Sequence, residues 1–264
     1  MKVISDSISN GAFAKKQLFC RNRLISWSHR SRFEIGLELG RKFAGKRVLD
    51  YGCGDGTFLG ILMSGCERPF KAVGAELLFA SVEDCRRRLC SNTDLKFVVN
   101  EALYEPEHKN AYDAVFCMEV LEHVVDVEPL FRFFEKLLAP GGKLLVSVPI
   151  ETGLPLVVKQ TVRCIAGWRR IGDYPGTASY SVTEYCRSIL AGRRQHISRS
   201  VLNDGSGVPF HDHKGFNWMA LRESMSRRFI IERTLSSPLT WLTPHLASQV
   251  WFIGRARLRM QAAL

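Results

Sequence analysis

Apolar residues in this chain gather in short runs separated by longer stretches of helical periodicity. Arg47 to Tyr51, Lys71 to Ala75, Leu95 to Val99, Tyr112 to Cys117 and Gly142 to Pro149 each read as a short buried strand. Residues 79–90 and 128–138 read as helices between them, so strands alternate with helices as in a parallel α/β sheet. The turn Ala139-Pro140-Gly141-Gly142 launches the fifth run. Farther on, Phe216 to Arg227 places Trp218, Leu221 and Met225 on one helical face. Phe229 to Thr234 and Ser248 to Arg255 then read as a closing pair of strands.

The first strand runs into Asp50-Tyr51-Gly52-Cys53-Gly54-Asp55-Gly56, a carboxylate at a strand end followed by a turn stripped of side chains. Glycines there permit positive φ and let a ligand lie against backbone. A P-loop would need Lys after its glycines, and none follows. A cationic nucleoside suits the carboxylate and bare backbone better than a phosphate. Glu76, at the tip of the second strand, is placed to accept from both ribose hydroxyls. Alone, Asp50 could cap a helix and Glu76 could be a solvated acid. Together, at adjacent strand ends, they mark the crevice where open α/β sheets bind ligands.

VLDYGCGDGTFL, VGAE, NEA, YDAVFCMEVLEHV and LAPGGKLLVSVP, in this order and spacing, resemble class I S-adenosylmethionine-dependent methyltransferases. The resemblance is close over residues 45–150 and looser over the last fifty. It implies a Rossmann-like α/β fold: seven strands with the last antiparallel, helices on both faces, and a lid inserted after the fifth strand. It implies S-adenosylmethionine as cofactor. Asp50 and the Gly52, Cys53, Gly54, Gly56 turn would hold its methionine part, and Glu76 its ribose. Glu101, where the family has Asp, would face the adenine amino group, and Met118 would lie near the sulfonium.

Composition adds bounds. At 264 residues the chain holds one catalytic domain, with 1–44 as a basic arm and cap helix, 45–264 as the domain and 150–210 as its lid. There is no secretory signal pattern and no apolar run of membrane-spanning length. Eight cysteines without a C-x-x-C pair, several in strand or helix runs (Cys53, Cys85, Cys117), suggest reduced thiols in a cytoplasmic protein. Of the net charge of +11, much lies in residues 1–47, with eleven Lys or Arg against three acids. There Lys15, Lys16, Arg21, Arg23, Arg30 and Arg32 interleave with Phe13, Leu18, Phe19, Leu24 and Trp27. The segment reads as a solvated, partly disordered arm with a helix over the cofactor pocket, as a peripheral contact with anionic membrane at its inner surface or with a lipid-linked substrate, or as a nucleic-acid patch.

Gly153, Pro155, Gly167, Gly172, Pro175, Gly176, Gly192, Gly205, Gly207 and Pro209 make 150–210 the least regular stretch. Leu154 to Trp168 is apolar but interrupted by Lys159 and Arg163, suited to lie over a cleft. Arg169, Arg170, Arg187, Arg193 and Arg194 make this segment basic and suit an anionic acceptor; a core-capping insertion without ligand contact is the alternative.

Methyl transfer needs alignment above all, because the sulfonium is already activated. An oxygen acceptor gains from a base or a cation. Glu119, Glu122 and His123 follow the fourth strand, and His123 is the candidate general base because imidazole titrates near neutrality. The M-E-V-L-E-H-V string resembles ubiquinone-biosynthesis O-methyltransferases. E-x-x-E-H also resembles small-RNA 2′-O-methyltransferases, where Glu and His hold a divalent metal. A metal here would need a further ligand, which His211 or His213 could supply; these two are also candidates for closing on substrate. The expected function is O-methylation of a small-molecule or lipid/glycan-linked acceptor. The alternative is RNA 2′-O-methylation with a Glu/His metal site, disfavoured because no RNA-binding module or stacking platform is evident.

Overall fold

The computed structural model describes residues 5–19, 23–168, 180–195, 197–203 and 207–257, without the side chains of 23–25 and 164–168. Arg21, Arg169, Arg170, Gly172, Pro175, Gly176 and Gly205, and the side chains of Arg23 and Leu24, lie outside what is described.

Five parallel strands form the centre: β1 (Arg47–Tyr51), β2 (Lys71–Glu76), β3 (Leu95–Val99), β4 (Tyr112–Met118) and β5 (Leu138–Pro149). With β8 (Phe229–Ser237) and β9 (Gln249–Ala256) they make a seven-stranded sheet of order β3-β2-β1-β4-β5-β9-β8. β9 is antiparallel to both β5 and β8, so the last strand in the chain is the reversed one. The order reverses between β1 and β4, which is where such sheets open a ligand crevice.

Helices cover both faces, as the hydrophobic pattern requires. α2 (Arg23–Arg41) and α3 (Thr57–Met63) bury Phe33, Leu37, Phe58 and Leu59 with Phe116 and Trp251 on one side. α4 (Phe79–Arg88) adds Val82 and Cys85 to that layer. On the other side α5 (Val127–Leu137) and α8 (Trp218–Ser226) bury Phe131, Phe134, Trp218, Leu221 and Met225. The Trp218, Leu221, Met225 face expected from spacing is therefore the buried face. Cys53, Cys85 and Cys117 are buried free thiols.

The fifth strand begins earlier than its sequence pattern suggests. Leu138 already pairs with Tyr112, and the register shifts before Ala114 pairs with Lys143. Gly141 takes φ +79, and a Cβ at Gly142 would sit 2.8 Å from the Tyr112 carbonyl oxygen. The expected launching turn is thus an irregularity within the strand, which glycine makes sterically possible.

The described part of the basic segment before β1, residues 5–19 and 23–46, is folded onto the body rather than being a solvated arm. α1 (Asp6–Ser9) and a π-helical turn, Ala14–Leu18, bury Ile8, Ala14 and Leu18 in the same layer as α2. After β5 comes more order than the glycine and proline content suggests. It contains α6 (Gly153–Trp168), α7 (Val182–Ile189) with a Ser181/Glu184 capping box, and the antiparallel pair β6 (Val201–Leu202) and β7 (Phe210–His211). Among the described residues no helix is long and apolar enough to cross a membrane.

Candidate active site

The crevice is floored by the turn after β1. Gly52, Gly54 and Gly56 take φ of +74, +57 and +70. Each also lacks room for a Cβ: the nearest atoms would be Val120 Cγ2 at 2.4 Å, the Phe13 ring at 3.0 Å and the Phe97 ring at 2.8 Å. Gly52 and Cys53 donate their amides to the Ala75 carbonyl, binding the turn to β2. Glu76 reaches back: its Oε2 accepts from the Gly54 amide at 2.8 Å and its Oε1 from Leu77 at 2.7 Å.

Asp50 is buried beneath this turn. Burial, then the charges of Glu76 and Asp55, push its carboxyl up to about 8. Asp55 points elsewhere, its Oδ2 accepting the amides of Phe13 and Ala14 at 2.8 and 2.9 Å. That bond seats Phe13 against Gly54, so the N-terminal segment covers the turn. Glu101 stands exposed on the 3₁₀ turn Asn100–Tyr104. Glu76 and Glu101 both act on Tyr51, whose hydroxyl is held above its ordinary range chiefly by burial. Met118 ends β4, with its Sδ 3.5 Å from where a Gly36 Cβ would stand.

Past β4 the three expected catalytic side chains separate. Glu119 takes a left-handed φ of +55 and turns toward α2, where Oε2 lies 3.1 Å from Arg32 Nη1. Ser147 Oγ and Gln249 Nε2 also donate to its carboxylate, at 3.3 and 3.4 Å. Glu119 is therefore committed to a buried cation that the sequence pattern gave no reason to place there.

Glu122 and His123 stay together and are joined by His213. Glu122 Oε1 is 3.9 Å from His123 Nε2 and 4.0 Å from His213 Nδ1, and the two rings meet edge to face at 4.7 Å. Glu122 is fully buried with neither carboxylate oxygen hydrogen-bonded. Burial, and secondarily Glu119, raises its pKa well above the ordinary carboxylate range. His213 is shifted down, mainly by burial and then by His123. His123 Nδ1 lies 2.8 Å from the His211 carbonyl oxygen. A carbonyl can only accept, so Nδ1 carries the proton and Nε2 keeps its lone pair in the neutral ring.

His211 itself is not part of the cluster. Its ring Nδ1 donates to the Ser200 carbonyl, and it serves the site through its main chain, donating its amide to the His123 carbonyl. Arg199 holds the two loops together, donating to the carbonyls of Glu122 (2.6 Å), Asp212 and Lys214 (3.2 Å). Burial lowers its pKa to about 10. Glu151, just past β5, is buried and ion-paired with Lys159 at 2.9 Å and Arg163 at 3.5 Å, anchoring α6 over the strand ends. Arg32 and Arg199 act across long sequence separations, to Glu119 and to the Glu122 carbonyl, and His29 and Glu151 belong to no motif, so motif reading does not single them out. His29 is mostly buried one turn before Arg32, and burial, then Arg32, lowers its pKa to about 4.

The ligand atoms of Glu122, His123 and His213 lie within 4.8 Å of one another. With two bare carboxylate oxygens and an unpartnered His213 Nδ1, this donor set fits a divalent cation.

Comparison with known proteins gives consistent relatives. Residues 25–196 match the family described as "Methyltransferase domain". A ubiquinone biosynthesis O-methyltransferase of Idiomarina loihiensis is 32% identical over 178 residues, covering 65% of this chain and 68% of that protein. The one from Marinobacter nauticus is 34% identical over 113 residues, 39% of this chain and 44% of that protein. The chain thus spans under half the length of several curated relatives. In fold it is similar to the PH0226 protein from Pyrococcus horikoshii (TM-score 0.57, 16% identity, 87% of this chain and 91% of that one). It is also similar to an S-adenosylmethionine dependent methyltransferase from Mesorhizobium loti (TM-score 0.51, 14% identity, 85% and 97%).

Proposed function

Because this chain belongs to the S-adenosylmethionine-dependent methyltransferase family, we propose that it transfers the cofactor's methyl group to an oxygen of a small-molecule acceptor. The observation that carries this reading is the His123 tautomer: Nδ1–H is committed to the His211 carbonyl, leaving Nε2 as a base at the mouth of β4.

In this mechanism the glycine turn and Asp50 would hold the methionine part, Glu76 the ribose and Glu101 the adenine edge, with Met118 near the sulfonium. The acceptor hydroxyl gives its proton to His123 Nε2 as its oxygen attacks the methyl carbon. The cofactor, when bound, would supply the activated methyl group and leave as S-adenosylhomocysteine, its sulfur keeping the electron pair of the broken carbon–sulfur bond. Glu122 Oε1 lies 3.9 Å from Nε2, beside the imidazolium that forms. Most of the rate comes from alignment, which segment 150–210 assists as the acceptor lid, with Arg199 and Glu151 fastening it. Were a divalent cation bound, Glu122, His123 and His213 would hold it, and it would supply Lewis acidity to the acceptor oxygen.

The names of the curated relatives support a small, quinone-like acceptor, and nothing in them points to RNA. An acceptor with a lipid or lipid-linked part, met at an anionic membrane surface, is supported by α6. Leu154, Val158 and Val162, four residues apart, are exposed along one stripe of it.

The test is transfer of labelled methyl from S-adenosylmethionine into host-cell extract, separated into organic-soluble, small aqueous and polymer fractions. The reading expects label in small molecules, with the organic fraction identifying a lipid-bearing acceptor. Label confined to nuclease-sensitive polymer would overturn it.

A further inference from the structure

A separate cavity of about 290 Å³ opens at the opposite edge of the sheet. Thr234 and Ser236 of β8 line it, facing the first two turns of α8 and the loop between β8 and β9. The strand order puts β5 and β9 between this edge and β4, so the cavity is not part of the cofactor crevice.

Two arginines give it positive charge. Arg193, which follows α7, and Arg222 of α8 both line it, and neither has an ion-pair or hydrogen-bond partner among the described residues. Arg228 and Arg255, by contrast, are paired, with Glu128 and Glu135 and with Glu232. Glu223 is the acid on the wall, and it is exposed to solvent. The start of the nine-residue α8 adds positive potential, though Asn217 already caps its Met219 and Ala220 amides. The rest of the wall mixes Met219, Leu242 and Pro244 with His245, which meets the Trp218 ring edge to face while that ring stacks on Phe252.

We propose that this cavity binds a small organic oxyanion, a phosphate or carboxylate head on an apolar body, with Arg193 and Arg222 on the head. Guanidinium forks match the paired oxygens of such a head, and the volume suits a ligand of one ring or a short chain. The hydroxyls of Thr234 and Thr240 supply further donors. Occupancy would also brace the lid. Asn217 Nδ2 donates to the Gly192 and Gln195 carbonyls at 3.0 and 3.1 Å, so the segment carrying Arg193 already rests on α8. An anion shared by Arg193 and Arg222 would fasten that contact.

The probe is phenyl phosphate, titrated calorimetrically into the full chain saturated with S-adenosylhomocysteine. The proposal expects one saturable site, weakened about tenfold by R193Q and by R222Q, the loss expected for one charge-assisted hydrogen bond. Arg193 is exposed, and unchanged S-adenosylhomocysteine affinity would establish that either variant is folded. No saturable binding, equal affinity in the double variant, or binding seen only without S-adenosylhomocysteine would overturn it. Because binding is read directly, this result stands apart from whether the acceptor has been assigned correctly. With methyl transfer as readout, competition between phenyl phosphate and the acceptor would make the oxyanion part of the acceptor. An unchanged KM alongside saturable binding would make it a second ligand at the proposed site.

Discussion

Arg32 Nη1 lies 3.1 Å from Glu119 Oε2, and through this pair the helix before the sheet reaches the mouth of β4. Arg32 Nη2 also donates to Gln17 Oε1 at 2.8 Å, so one guanidinium links the N-terminal segment, α2 and the site. The pair compensates a left-handed Glu119 backbone, a conformation that costs a non-glycine residue free energy. A double-mutant cycle of R32M and E119Q, read by denaturant unfolding, is predicted to give a coupling of about 1–3 kcal/mol. A coupling near zero would make the pair incidental.

Gly52 is excluded from substitution twice over, by its φ of +74 and by the Val120 methyl 2.4 Å from any Cβ. Gly141 has a similar φ, +79, but nothing within 4 Å of the same position. G141A should therefore cost about 1 kcal/mol and leave cofactor affinity intact, while G52A should cost about 2 kcal/mol or more and weaken S-adenosylhomocysteine binding. Equal effects would mean that close approach plays no part in the turn.

Asp50 gives the protein without cofactor a pH dependence of definite sign. Its carboxyl rises from 3.8 to about 8 on folding, so between those values the folded state binds the proton more tightly. The contribution is fully present below about 3.8 and is lost as pH rises through about 8. D50N stays neutral, so its stability relative to wild type should increase steadily across that window, as followed by thermal unfolding at a series of pH values. A constant difference would mean that Asp50 keeps an ordinary carboxyl.

His123→Ala removes the proposed base without touching the turn. The expected result is a fall in kcat of about 10²–10⁴-fold with unchanged S-adenosylhomocysteine affinity. A chelator should leave wild-type activity in place; loss of activity that added Mg²⁺ or Mn²⁺ restores would instead assign Glu122, His123 and His213 to a cation.

Much of this architecture was legible because it is local. The runs at β1 to β4 match the strands closely, since a strand buried on both faces must be apolar throughout. The glycine turn and Glu76 were equally plain, because positive φ and a strand-end acid leave direct marks in sequence. What escaped were contacts across long separations: Arg32 with Glu119, Arg199 with the carbonyls at 122 and 212, and Asp55 with the amides of Phe13 and Ala14. Spacing grouped Glu119, Glu122 and His123, yet the left-handed turn at Glu119 sends its side chain to α2. His211 and His213 looked equivalent two residues apart, and continued extended backbone would have kept both on one side, but β7 ends at His211 and the chain bends at His213. Only His213 faces the cluster.

The most direct test of the central claim uses cofactor carrying a ¹³C-methyl group, incubated with the protein and extracted small molecules, with the product followed by carbon NMR. The account predicts a new resonance in the methyl-ether region, absent with H123A. A resonance in the N-methyl or C-methyl region, or an undiminished signal with H123A, would contradict it.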